Sequence, residues 1–368
     1  VPYTTLFRSR GFVMENKQIN SVQALRGIAA LAVLAFHYRY TINMQFPGAG
    51  DRLFGWGAIG VDLFFALSGF VITLSVARMS TGPQAAWRFI QRRLLRLLPA
   101  YYFLLLLSFA LGGGMSLLHY QDKLDNLISA LTFTTVSADN GPFYVDDSGL
   151  YGIRWTLNYE IWFYLLMACS LLLRHRWIML AALLIASLVL LPLFQGQAIS
   201  LETQGYAFRH GMLNLITNPI IWEFAAGVAV GLAWPVLLRL PTLVRRLLLI
   251  GIVLWTLWHI IDRSHVAHGL TYSGGIVSLL LMSVAINDDL LARLTPRVLI
   301  WLGDISYSLY LIHNVIMRMV DKRIPVHGVM QFLVALVISL LVAWLSQRYI
   351  EPLGYRLFAS RSPRVKTA

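Results

Sequence analysis

Apolar residues fill long stretches of this chain, and polar residues collect in the short segments between them. A helix needs about 20 mostly apolar residues to cross a bilayer, and about ten stretches approach that length. They cover residues 23–41, 56–77, 97–113, 155–173, 177–194, 213–234, 246–261, 269–287, 298–317 and 329–347. The pattern predicts an all-α fold, a polytopic membrane bundle of about ten transmembrane helices.

The composition agrees with a membrane protein, because 58% of the residues are hydrophobic and only 13% are charged. A net charge of +13 would suggest nucleic acid for a soluble protein, but here the basic residues follow the second, fourth and sixth stretches. By the positive-inside rule those loops and both termini are cytoplasmic. We therefore expect membrane lipids, and no nucleic acid, around the chain. Only Arg318, Lys322 and Arg323 oppose this topology.

No linker or change of composition divides the sequence. We predict one integral-membrane domain over residues 14–360 and a short basic cytoplasmic tail over residues 361–368. Residues 1–13 resemble neither a signal peptide nor a span, and we interpret them as a non-native leader. Cys169 is the only cysteine, which excludes disulfides within the chain and cysteine-rich metal sites. No metal is expected.

The first apolar stretch contains two ionisable side chains, Arg26 and His37. Such groups are costly at membrane depth and persist mainly where they pair, line a cavity or take part in chemistry. Their spacing places them on one helix face, about 16 Å apart along the axis, and Asp304 is the expected partner of Arg26 on the inner side. Alternatively, Arg26 extends to lipid headgroups and His37 is a satisfied interfacial histidine.

Estimated depths bring more ionisable groups to one layer. At about 1.5 Å per residue, five side chains fall in the outer half of the bundle. They are His37, Asp62, Glu160, Glu223 and His313. This coincidence predicts an internal polar site.

Four arginines lie between the second and third stretches. Arg88, Arg92 and Arg96 recur every four residues on one face of a predicted short helix, with Arg93 beside them. Guanidinium groups offer paired donors to phosphate oxygens, so this segment could hold a phosphate-rich molecule on the cytoplasmic side. The other interpretation is that the arginines only fix topology or contact anionic lipid.

Several motifs together resemble the acyltransferase family 3 membrane proteins, over nearly all of residues 20–356. They are Arg26 with ten residues before His37, Gly60-Val-Asp-Leu-Phe-Phe-Ala-Leu-Ser-Gly-Phe70, Arg92-Arg-Leu-Leu-Arg-Leu-Leu-Pro99, Trp155-Thr-Leu-Asn-Tyr-Glu160 and Ser306-Tyr-Ser-Leu-Tyr-Leu-Ile-His313. The fourth motif is most similar to the exopolysaccharide O-acetyltransferase branch. The resemblance implies a bacterial inner-membrane enzyme that moves an acyl group, usually acetyl from acetyl-CoA, to hydroxyls of an extracytoplasmic polysaccharide or lipid-linked glycan.

The resemblance also implies that Arg26 and His37 are the essential pair of the first helix, that Arg92, Arg93 and Arg96 hold the donor, and that Glu160 is the family's glutamate. The chemistry of acyl transfer and the spacing of the arginines extend these assignments to further residues. His37, Arg26, Asp62 and Glu160 would be catalytic, with His37 as the general base and either Asp62 or Glu160 orienting its ring. Arg88, Arg92, Arg93 and Arg96 would bind acetyl-CoA, the acyl donor. The residues assigned to substrate binding are Glu223, Tyr307, Tyr310 and His313.

A function of another class also fits the spans. A transporter or lipid-carrier flippase would use buried histidine and carboxylate groups as a proton relay, but it predicts two related halves and broken helices at mid-membrane, and the sequence shows no such halves. The acceptor sugar, the acyl group and the oligomeric state stay open.

Overall fold

The fold is all-helical, as predicted. The computed structural model describes residues 19–111, 119–145, 152–263 and 266–354, and these ranges contain no β-strand. The predicted leader and basic tail lie outside them. The α-helices are α1 (Asn20–Gln45), α2 (Ala49–Phe54), α3 (Ile59–Val76), α4 (Pro83–Leu111), α5 (Gln121–Thr132), α6 (Trp155–Leu171), α7 (Arg176–Ile185), α8 (Leu191–Phe194), α9 (Gly211–Thr217), α10 (Ile221–Leu237), α11 (Thr242–Asp262), α12 (Gly275–Ile286), α13 (Asp288–Leu294), α14 (Arg297–Arg323) and α15 (Gly328–Tyr349).

Each of the ten predicted stretches is mostly helical within the described residues, and the sixth is divided by a short turn between α9 and α10. Eight helical runs, some joined through a short 3-10, π or turn segment, are long and apolar enough to cross a membrane, and a bent helix pair brings the number to nine. The fourth predicted stretch is α6, which has 17 residues and is shorter than those runs. These helices make the chain an integral membrane protein.

The eighth stretch is irregular at both ends. It begins in a π segment, Leu270–Gly274, in which Tyr272 has non-helical backbone angles. After α12 the chain turns by 86° into α13, so the pair is a broken span or a re-entrant loop. The π segment lies against α3.

The basic segment is not a separate short helix. It forms the first half of α4, which continues through Pro99 into the third apolar stretch. Proline removes the hydrogen bond to the carbonyl four residues earlier and usually kinks or ends a helix. Here the backbone of Gly354 packs against both the Leu95 carbonyl and the Pro99 ring. The arginines are thus fixed to a membrane helix.

The closest helix pair that matters for the site is α1 with α14. Gly27 on α1 lies against the backbone of Gly303 on α14, and a β-carbon at either glycine would collide with the facing helix. Small residues allow such close packing in membranes, where dispersion replaces the hydrophobic effect. The spacing from Gly27 to His37 equals that from Gly303 to His313, so this parallel contact also brings the two histidines level.

We expect Gly303→Val to destabilise the bundle by about 1–3 kcal/mol or more, because the added side chain separates α1 from α14. The measurement is thermal unfolding of the purified protein in detergent. Gly251→Val is the matched control, since Gly251 lies on α11 with open space around it. Equal melting temperatures for the two variants would contradict the close contact.

Candidate active site

A cavity lies between α1, α3, α4, α6 and α14. It has about 880 Å³ of unfilled space, part of it open to solvent. Its polar lining comes from three arginines, one carboxyl group and several hydroxyl groups. These polar residues are Arg26, Arg93, Arg96, Glu160, Ser68, Thr156, Tyr164, Ser306, Tyr307 and Tyr310. The remaining lining is apolar.

Only two of the four arginines of α4 line this cavity. Arg93 is buried, donates to Ser75 Oγ at 2.8 Å and lies over the rings of Phe89 and Tyr164. Arg96 lies one turn further along. Arg88 and Arg92 are exposed, because at about 100° per residue they lie roughly 110° and 70° from the centre of the face that Arg93 and Arg96 share. Of the four arginines predicted to hold the donor, Arg93 and Arg96 thus face the cavity, whereas Arg88 and Arg92 do not line it.

The third cavity arginine, Arg26, comes from α1. Its Nη1 donates to Gln23 Oε1 at 3.4 Å, and Gln23 Nε2 donates to Asp304 Oδ1 at 2.8 Å. The predicted partnership with Asp304 is therefore relayed by Gln23. The carboxyl groups of Glu160, Glu351 and Asp304 attract the Arg26 guanidinium. Arg26 is thus held among acids while its guanidinium faces the cavity.

Glu160 on α6 is the carboxyl group of the cavity wall. Its Oε1 accepts a short hydrogen bond from the Tyr164 hydroxyl one turn away and a longer one, at 3.5 Å, from Ser68 Oγ on α3. The same Tyr164 ring lies beneath the Arg93 guanidinium. Sequence reasoning found Glu160 but missed Tyr164, although its spacing from Glu160 places it on the same helix face.

A second acid, Glu351, lies near Arg96 and Arg26 at the arginine end of the cavity. Glu351 follows α15 and accepts a hydrogen bond from Ser308 Oγ at 2.6 Å. Burial raises the pKa of the Glu351 carboxyl, while Ser308, Arg96 and Arg26 act in the opposite direction. The sequence contains the signal, an acid just after the last apolar stretch, but gives no indication of what it faces.

His37 and His313 meet at the other end of α1 and α14. Their ring centroids are 4.9 Å apart, so the predicted common depth of these two residues is found. His313 is fully buried. Its Nδ1 bonds the Tyr310 carbonyl at 2.6 Å, and Tyr38 Oη donates to the His313 carbonyl at 2.7 Å. No group in the described residues bonds His313 Nε2.

Tyr310 connects the cavity to the histidines. Its ring lines the cavity, lies 5.7 Å from the His313 ring and packs edge-on against Phe64. Its hydroxyl shares a hydrogen bond of 2.9 Å with Thr156. Tyr307, the other tyrosine predicted to bind substrate, also lines the cavity, but its hydroxyl donates to the Leu97 carbonyl of α4. The cavity therefore extends from the arginines to the ring that borders the histidine pair.

Asp62 and Glu223 form a separate buried cluster. Asp62 accepts from His268 Nδ1 at 2.9 Å and from the Gly269 N–H at 3.1 Å, and Glu223 Oε1 accepts from the same N–H at 2.8 Å. Glu223 Oε2 has no hydrogen-bond partner among the described residues. Burial acts to lower the pKa of the His268 imidazole, but the Asp62 carboxylate raises it above the ordinary value.

The predicted single layer of five ionisable groups is thus wrong in its lateral arrangement. Asp62 lies on the face of α3 that packs against α10, whereas Phe64 and Ser68 face the cavity. Asp62 is therefore not the neighbour of His37, and Glu223 does not line the cavity. His268 was missed because it lies in a loop, where a histidine carries no sequence signal of burial.

The comparisons with known proteins identify the family of the chain. A family model described as an acyltransferase domain matches residues 19–348. The chain belongs to this acyltransferase family. It is an enzyme family, so the transporter alternative loses its basis, which was only the presence of ionisable groups among apolar helices.

Three curated relatives are similar to the chain. The exopolysaccharide production protein ExoZ of Rhizobium meliloti is 29% identical over 72% of this chain and 78% of its own length. Nodulation protein 10 of Rhizobium leguminosarum bv. viciae is 27% identical over 58% of this chain, and the peptidoglycan O-acetyltransferase OatA of Listeria monocytogenes is 24% identical over 91%. The matches span only 60% and 55% of the last two relatives. No solved structure matches.

Proposed function

We propose that this acyltransferase moves an acetyl group from cytoplasmic acetyl-CoA to a hydroxyl group of an extracytoplasmic carbohydrate, with His37 as the general base. The observation that carries the proposal is the cavity that joins three arginines at one end to the ring of Tyr310, and through it to the histidine pair, at the other. The names of the ExoZ and OatA relatives favour a polysaccharide or peptidoglycan-like acceptor. A bacterial inner membrane is the expected location.

The arginine end suits the donor. Arg93 and Arg96 would hold phosphate oxygens, because a planar guanidinium binds them with paired, charge-assisted hydrogen bonds. In the predicted topology this end faces the cytoplasm, where α1 begins. Arg26 lies further along the same cavity and would polarise the thioester carbonyl or hold the donor. Glu160 would keep Arg26 oriented through its charge, and Tyr164 would keep Glu160 in place.

The histidine end suits the acceptor. His37 would take the proton of the attacking sugar hydroxyl and return it to the departing thiolate, so the reaction consumes no net proton. A well-placed base typically contributes about 10² to 10⁴ in rate. Tyr310 and Tyr307 would border the path between donor and acceptor. Asp62 and Glu223 would act at a distance, by holding the loop around His268 against α3 and α10.

Donor binding by the arginines can be tested by exchanging them in pairs. We expect Arg93→Ala with Arg96→Ala to raise the KM for acetyl-CoA by at least about tenfold, since each lost charged hydrogen bond is worth about 1.5–3 kcal/mol. The assay is transfer of labelled acetyl from acetyl-CoA to surface polysaccharide by the purified protein in liposomes. Arg88→Ala with Arg92→Ala is the matched control and should leave this KM nearly unchanged.

Equal effects of the two double variants would assign the arginines to topology or lipid contact rather than to the donor. Failure of the wild-type protein to transfer acetyl to any surface carbohydrate, with the protein folded, would contradict the proposed function itself.

A further inference from the structure

We propose that His313 is a positioning residue for His37: its Nε2 accepts a hydrogen bond from the His37 ring and so fixes the tautomer of the base. This inference rests on the proposed function, in which His37 takes the hydroxyl proton. It gives a fully buried imidazole the place that a carboxylate holds in a hydrolase triad.

The hydrogen bonds of the His313 ring determine which of its nitrogens carries the proton. Its Nδ1 lies 2.6 Å from the Tyr310 carbonyl, which can only accept a hydrogen bond, so Nδ1 carries the proton. A neutral imidazole with a proton on Nδ1 presents a bare lone pair at Nε2. The tautomer of His313 is therefore determined by its own helix.

The lone pair of His313 Nε2 has no hydrogen-bond partner among the described residues, and the atom is buried. A buried acceptor without a partner costs about 1–3 kcal/mol and calls for an explanation. Its polar neighbour is His37, whose ring centroid lies 4.9 Å away. At that separation a small rotation of the partly exposed His37 side chain brings a ring N–H to His313 Nε2.

The two carboxyl groups predicted to orient His37 bond other residues. Asp62 is bonded by His268 and Gly269, and Glu160 is bonded by Tyr164 and Ser68. Neither bonds His37. Tyr38 anchors the backbone of His313 through its carbonyl, and Tyr310 packs on its other side. The surroundings hold the His313 ring in one orientation, as a positioning residue requires.

The proposed step balances. The other nitrogen of His37 takes the proton of the acceptor hydroxyl while the oxygen bonds to the acyl carbon. The carbon–sulfur bond then breaks, and the thiolate recovers that proton from the His37 imidazolium. His313 Nε2 accepts a hydrogen bond throughout and exchanges no proton.

The test compares two substitutions of His313. Gln places an acceptor near the position of Nε2, whereas Leu fills similar space without one. We expect His313→Leu to lower kcat by roughly 10²-fold with an unchanged KM for acetyl-CoA, since a mispositioned base loses most of its contribution, and His313→Gln to stay within about tenfold of wild type. Both variants are checked for folding by thermal unfolding in detergent.

A second readout does not depend on activity. In protein labelled with ¹⁵N-histidine and embedded in liposomes, His313 should show a protonated Nδ1 and an unprotonated Nε2. The nitrogen signals of His37 should shift in His313→Leu and much less in His313→Gln. Equal activities of the two folded variants, or unchanged His37 signals in His313→Leu, would overturn the proposal. If the wild type transfers no acetyl group, the proposed function fails, and the nitrogen signals still decide whether the pair exists.

Discussion

His37→Ala is expected to abolish acyl transfer, with a loss of at least about 10²-fold and up to about 10⁴-fold, because it removes the group that takes the hydroxyl proton. The protein should stay folded, since the His37 side chain has ring contacts with Phe36 and His313 and no hydrogen bond within the described ranges. The measurement is the rate of acetyl transfer to polysaccharide in liposomes, together with thermal unfolding in detergent.

A matched control is available just before α15. His327→Ala removes an exposed histidine immediately before α15 and should leave the rate unchanged. If His37→Ala keeps a rate within a few-fold of wild type, the base lies elsewhere and the proposed mechanism is wrong at its centre. A loss in rate that is matched by a loss of folded protein would instead assign His37 to packing.

The helices were predictable because a bilayer permits so few backbone arrangements. Without water to bond the backbone, a spanning segment must satisfy its own hydrogen bonds, so an apolar stretch of sufficient length becomes a helix. In the described residues every stretch is mostly helical, although the sixth is interrupted between α9 and α10 and the eighth begins in a π segment. The depth of a side chain follows as simply from the rise of the helix, which is why His37 and His313 were placed level.

The lateral arrangement was not predictable in the same way. Rise fixes height, but the neighbour that a side chain meets depends on which helices pack together, and this depends on distant residues such as Gly27 and Gly303. Hence Asp62 was assigned to the wrong neighbour. Arg88 and Arg92 do not line the cavity for a related reason. Residues repeated every four positions drift slowly around a helix, so they do not all face the same neighbour. The sequence could show that they were near the site, but not that they faced away from it.

The larger structural prediction concerns the cluster of Asp62, Glu223 and His268. We expect Asp62→Leu to destabilise the protein by about 3–5 kcal/mol, because removing one partner leaves the buried ionisable imidazole of His268 without its acceptor, while the Gly269 N–H keeps Glu223 Oε1. Thermal unfolding in detergent measures the loss. Glu202→Gln is the control, because the Glu202 carboxylate accepts from the Tyr272 hydroxyl at an exposed position and the change should alter the melting temperature little.

The same cluster predicts how the effect depends on pH. Asp62 raises the pKa of His268 in the folded protein, so the stabilisation from this pair is fully present below about pH 6.5 and is lost as the pH rises through the raised value. Asp62→Asn keeps an acceptor for Gly269 but removes the charge. The difference in melting temperature between wild type and Asp62→Asn should therefore be larger at about pH 6 than at about pH 9. A difference that does not change with pH would mean that His268 is neutral in the cluster, and that hydrogen bonding alone holds the loop before α12 to α3 and α10.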